Sequence, residues 1–262
     1  MGVIFSNSFV AVANANITAR SANASYPKIN VMDNWHLSRC FRAADVTAND
    51  YLLKFNFGAA QSLSAILLRN VNFDTVKIQG HASDSWGSPS YAGSNLTVSQ
   101  DPITGRYNIY IPITSFNYQY LRIFIPAGTS EVGTSISEWK IGNVLFMSSI
   151  TTLSKNISYG YNDTGEQASK TISLPHGGAG ESVELGDLTA WQGEVSFGYR
   201  AESDESELWT VNAMHAGKPI MFYLNDSDTS EAWLCKRDGN YKSTLIANGH
   251  VQGNSFRLTE II

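Results

Sequence analysis

Residues able to do chemistry are present in this chain, but their spacing does not assemble them. The five histidines, His36, His81, His176, His215 and His250, contain no His-Glu-x-x-His element, and no Cys/His cluster lies near any of them. A zinc centre needs three or four such ligands converging on one point. Structural or surface histidines are therefore the expectation, with no metal and no cofactor. Asn225, Asp226, Ser227 and Asp228 place carboxylates as a calcium loop does. The turn glycine and the distal glutamate of a helix-loop-helix site are absent, so a solvated turn is expected and a weak cation site at Asp226 and Asp228 is left open.

Nucleophilic and phosphate chemistry fare no better. Gly177, Gly178 and Gly180 are not followed by the Lys-Ser/Thr ending of a phosphate cradle, and no Gly-x-Ser-x-Gly turn exposes a serine. The acidic group Glu202, Asp204, Glu205 and Glu207 opens a helical pattern, where free amides and the helix dipole favour negative charge. That explains it without a pair of glycosidase carboxyls. No catalytic residue is assigned, and the chain is expected not to be an enzyme.

Composition narrows the remaining classes. Of 262 residues, 43% are apolar and only 16% charged, enough to fill one large β core or two smaller ones while neutral polar side chains carry solubility. A net charge of -5, with Lys28, Arg39, Arg42, Lys54 and Arg69 spread out, argues against tracking a phosphate backbone, so no nucleic acid is expected. Cys40 and Cys235 are too few for a disulfide framework and read as buried thiols. Polar residues interrupt every long apolar run, and residues 1–12 lack a basic start followed by an apolar core. Neither membrane insertion nor a leader is expected.

The elements that must position any site are strands. Short β-rich runs at 51–57, 63–69, 74–80, 95–99, 106–113, 119–125 and 138–147 are divided by Gly, Asn and Ser. Asp101 to Arg106 reads as a hairpin connection, with Pro102 fixing one φ and Gly105 free to take a positive one. Pro112 has no amide hydrogen and marks an edge or a bulge. One helix is predicted at about 204–216, with Asp204 as its cap, Glu207 as the box partner and Leu208, Val211 and Met214 or His215 on its apolar face. The organisation predicted is all-β: an N-terminal arm or edge strand at 1–24, a β-sandwich at 25–149, and a β-rich block with one helix at 150–262. Trp35 sits in a polar loop, either as a plug closing one end of the sandwich or as a surface on which a ligand stacks.

Residues 51–80, with 119–125 and 136–142, resemble the galactose-binding or discoidin-like jelly roll. The resemblance lies in a strand ending Phe57-Gly58, one of Ala65 to Leu68 type, one of Val76 to Gln79 type, and late Leu121-Arg122-Ile123 and Ile141-Gly142 strands. Residues 30–33 and 41–43 are similar to the opening of such domains in the tail proteins of long-tailed bacteriophages, and 206–226 with Trp233 resembles the helix, Gly-x-Pro and aromatic strand of tail-tip and baseplate proteins. The resemblance implies a non-enzymatic virion component, assembled in the host cytoplasm, that forms a homo-oligomeric ring and docks on other phage tail proteins. The alternative it implies is a carbohydrate-binding module for attachment to host glycans. In that case Trp86 and Tyr91 would stack on a sugar face, Asp84 and Asn95 would exchange hydrogen bonds with it, and Trp35 would belong to the neighbouring loop.

Overall fold

The computed structural model describes residues 3–154, 162–172, 181–196, 199–201, 205–214, 218–224, 228–238, 243–247, 250–253 and 255–262. The predicted all-β class is what the chain adopts: the described residues form strands with one α-helix among them, at Glu205–Ala213. The cap Asp204, the 176–180 turn, the helix end at 215–217 and Asp226 lie outside the described residues. Among those described, no helix is long and apolar enough to cross a membrane.

Two long strands organise the N-terminal sandwich. The runs expected as separate strands at 51–57 and 63–69 are one strand, Asp50–Val71, and those at 106–113 and 119–125 are one strand, Tyr107–Ile125. Gly58 at φ +80° and Ser115 at φ 60° let each chain turn a corner without leaving the sheet. The ladder between them slips at that corner, from Asn56↔Tyr120 to Gln61↔Tyr118, so each strand contributes one half to each layer. Phe55 of the first half meets Phe146 edge-on at 4.8 Å, and Phe146 pairs with Ile66 of the second half, which places the apolar core between the layers. Pro112 pairs with Ala65 beside a register shift, as a residue without an amide hydrogen requires. The 101–106 hairpin forms as expected: Asp101 N donates to Arg106 O at 2.8 Å, and Gly105 has φ +69°.

The unbroken apolar run Ala65 to Leu68 is buried on both faces. Ile66 and Leu68 face the sandwich core, while Ala65 and Leu67 face a second cluster with Tyr110, Met147, Met221, Tyr223 and Leu234. Alternation is lost wherever both sides of a strand are covered.

The opening residues, expected as an arm or edge strand, are interior. Strand Ile4–Phe9 pairs with Asn143–Thr152 on one side and Ile220–Tyr223 on the other, making one continuous sheet from the sandwich into the C-terminal block. Val3 and Phe5 are fully buried among Trp191, Phe222 and Trp233 of that block. The apolar triplet Val3, Ile4, Phe5 is long enough to serve two clusters at once: Phe5 points into one and Ile4 into the other.

Val211 in the helix and Met214 just past its end are buried, and Arg237 Nη1 donates to the carbonyl of Val211 at 3.0 Å, satisfying an acceptor of the last turn. The Glu207 carboxylate, expected to close a capping box, accepts the Ser154 N–H at 2.7 Å.

Candidate functional site

The outer surface of strands Asp50–Val71, Thr75–His81 and Tyr107–Ile125 carries a cluster of polar and aromatic side chains. Lys54, Gln79 and Arg122 lie side by side because their registers align: Lys54↔Arg122 and Gln79↔Arg122 are both paired positions. Alternation does the rest, since Leu53 and Phe55 turn inward and Lys54 outward. After His81 the chain leaves the sheet and returns over it with Asp84 and Trp86.

Asp84 is the centre of this group. Lys54 Nζ donates to both of its carboxylate oxygens, at 3.0 and 2.9 Å, and Trp86 Nε1 donates to Oδ1. The Arg122 guanidinium lies 4.6 Å from the Trp86 ring centroid, and its Nε donates to Gln79 Oε1 at 2.6 Å. Lys54 also stands 5.0 Å from the Tyr51 ring. Partial burial works against ionisation of Asp84, but hydrogen bonds from Lys54 and Trp86 and the charges of Lys54 and Arg122 outweigh it and hold the carboxyl below its ordinary 3.8. Burial draws the Arg122 guanidinium down from its usual value, against the pull of Asp50 and Asp84. Beside the cluster runs an open groove of about 210 Å³, lined by Asn16, Thr18, Lys54, Asn56, Asp84 and Tyr120.

The residues implied by the resemblance divide between several places. Asp84 and Trp86 act together. Tyr91 packs its ring edge-on against Phe116 at 5.5 Å and lines a separate cavity of about 320 Å³ with Leu96 and Ile109; burial raises its phenol pKa. Asn95 is exposed beyond that cavity, in the connection to Leu96–Thr97. Trp35, open to the alternatives of plug or surface, is 44% exposed and has Lys236 Nζ 4.8 Å from its ring centroid. It lines a cavity of about 370 Å³ with Asn7, Phe9, Lys218 and Ile220.

Sequence reasoning missed Lys54, Gln79 and Arg122. Their outward phase within apolar strands was readable, but the register that makes them neighbours was not. Among the described residues, no three His, Cys, Asp or Glu side chains come together as a metal site would require.

No protein-family model matches this sequence, and no curated protein does. Among solved structures the chain is similar to chitosan-binding module 1 of a chitosanase/glucanase from Paenibacillus sp. IK-5, at 19% identity over 53% of this chain and 98% of that one, with a TM-score of 0.37. It is also similar to CBM32-1 from a family 31 glycoside hydrolase of Clostridium perfringens, at 14% identity over 50% and 92%, TM-score 0.37. The lectin domain of lectinolysin, solved with Lewis B antigen, matches at 12% identity over 51% and 92%, TM-score 0.36.

Proposed function

We propose that this chain is a non-catalytic recognition module whose N-terminal sandwich binds a glycan at the Asp84–Trp86 cluster. The observation that carries this reading is the placement of an indole and a carboxylate, on the connection after His81, against an ammonium borne by the sheet beneath, beside a groove of amides and a hydroxyl. Sugar rings present apolar C–H faces that pack on aromatic rings, and hydroxyls that pair with charged and amide groups. Lys54, Asp84, Asn56 and Asn16 supply the second kind of contact. Because Lys54 and Trp86 already bind Asp84, the site is ordered before a ligand arrives and little side-chain freedom is lost on binding. The test is a glycan array followed by titration of any hit. Trp86→Ala and Asp84→Asn are expected to weaken binding at least tenfold; unchanged affinity in both variants would remove the site.

A second reading, assembly within a bacteriophage tail, is favoured by one observation. Trp35 stands half-exposed where loop 33–36 meets strand Ile4–Phe9 and residues Lys218 to Ile220, beside an open hollow. Large aromatics with a polar neighbour are what subunit contacts bury. On this reading the chain forms a ring in the virion and docks on other tail proteins. Sedimentation of the purified chain at high concentration tests it: oligomers that Trp35→Ala dissociates support assembly, whereas a monomer at all concentrations argues for the glycan module alone.

A further inference from the structure

The helix Glu205–Ala213 turns an uncharacteristic face to water. Val211 and, just past the helix end, Met214 are buried against the C-terminal sheet, while Ser206, Trp209, Thr210 and Ala213 are exposed at positions i, i+3, i+4 and i+7. A helix packed on one side ordinarily directs charged residues outward. This stripe has no charged side chain, and Trp209 in its middle is 47% exposed, flanked by small residues only. The charge lies at the helix start: from Ala201 to Gly217 the sequence has four acidic residues, Glu202, Asp204, Glu205 and Glu207, and no lysine or arginine.

Among the described residues one other large aromatic is exposed, and its surroundings have the opposite sign. Trp35 borders the hollow lined by Phe9, Lys218 and Ile220, and Lys236 stands over its ring. Both lysines are exposed, and neither has a carboxylate within ion-pair distance among the described residues. Lys236 and Arg237 are neighbours in strand Ala232–Asp238, so they point to opposite sides of the sheet. Lys236 goes to Trp35, whereas Arg237 goes to the helix and donates to the carbonyls of Val211 and Asn212. The hollow and the helix therefore lie on opposite faces, and a single copy cannot bring its own two together.

We propose that the helix of one copy docks in the Trp35 hollow of a second copy, with Trp209 against Trp35 and the acidic helix start against Lys218 and Lys236. The pairing rests on the assembly reading and names the contact that assembly would use. Hollow against hollow would set lysine against lysine, and helix against helix would set acid against acid; both arrangements repel. Hollow against helix matches the signs and buries two indoles, the kind of side chain that contact centres bury. Such a contact is head to tail. Each copy at an end keeps one unused face, so copies add until the rotation between them closes the assembly.

Sedimentation of single and mixed variants of the full chain tests the pairing. Trp35→Ala keeps an intact helix and Trp209→Ala an intact hollow, so each alone is expected to associate at least about tenfold more weakly than the unsubstituted chain. Mixed in equal amounts, the two are expected to form a dimer and nothing larger, because only one sound contact is available between them. Thr210→Arg sets a cation toward the lysines from an exposed position and keeps the test informative if Trp209→Ala disturbs the helix; it is expected to behave as Trp209→Ala does. Oligomers that Trp35→Ala dissociates but Trp209→Ala and Thr210→Arg leave intact would overturn the pairing and leave the assembly reading standing. Absence of the dimer from the mixture would overturn the pairing as well, and an unsubstituted chain that is monomeric at all concentrations would end both.

Discussion

The indole N–H of Trp233 donates to the Asp101 carboxylate at 2.8 Å, with both groups fully buried and 132 residues apart in the chain. Asp101 also accepts from Ile103 N at 3.0 Å and from the Thr104 hydroxyl, so one carboxylate holds its own hairpin and the C-terminal block together. Trp233 in turn stacks on Trp191, centroids 4.3 Å apart and planes 9° from parallel. Asp101→Ala strands a buried indole donor, and a loss of about 1–3 kcal/mol is expected. Chemical denaturation followed by tryptophan fluorescence measures it; a loss below a few tenths would show that the bond contributes nothing net.

Glu260 joins the blocks a second time. It accepts from Arg69 at 2.7 Å, from Arg106, and from Trp191 N at 2.9 Å, all out of contact with water. Removing one member of a buried ionic group leaves the others uncompensated, so Glu260→Ala is expected to cost about 3–5 kcal/mol. Scanning calorimetry of the variant should show a lower transition temperature, and an unchanged one would refute the role.

Phe5 reaches from the first strand into the C-terminal core, with its ring 5.2 Å from Phe222. Phe5→Ala opens a cavity there and should destabilise the protein by about 3–5 kcal/mol. Were residues 1–24 a free arm, the substitution would cost almost nothing, so the equilibrium denaturation midpoint separates the two cases.

Asp84 titrates below 3.8 because Lys54, Trp86 and Arg122 favour its ionised form over the opposing effect of burial. Its folded-state pKa is depressed, so its contribution to the cluster is fully present above about pH 3.8 and is lost as pH falls through the folded value. A carboxyl carbon NMR titration should give a midpoint below 3.8. In Lys54→Met, where burial remains and the chief donor is gone, the midpoint should rise; no movement would remove Lys54 as a cause.

Cys235 is wholly buried, and desolvation together with the Glu260 charge holds its thiol well above the ordinary value, despite the pull of Arg69 and Arg106. Only a thiolate attacks a disulfide reagent. At pH 8 its reaction with such a reagent should proceed no faster than global unfolding, measured by mass spectrometry of the labelled peptide. Rapid labelling of the native protein would contradict this.

What could be read before folding was local. The turn chemistry of Asp101 to Arg106 and the apolar spacing of Val211 and Met214 each depend on neighbours a few residues away, and each appears as expected. The union of two runs into Asp50–Val71 was obscured because Gly58 looks the same whether it ends a strand or bends one. The place of residues 4–9 inside the sheet, the register that sets Lys54 beside Arg122, and the sharing of Glu260 by Arg69 and Arg106 belong to tertiary structure alone. They are pairings across long separations, selected by which apolar faces cover one another, and a single chain carries no local mark of its distant partner.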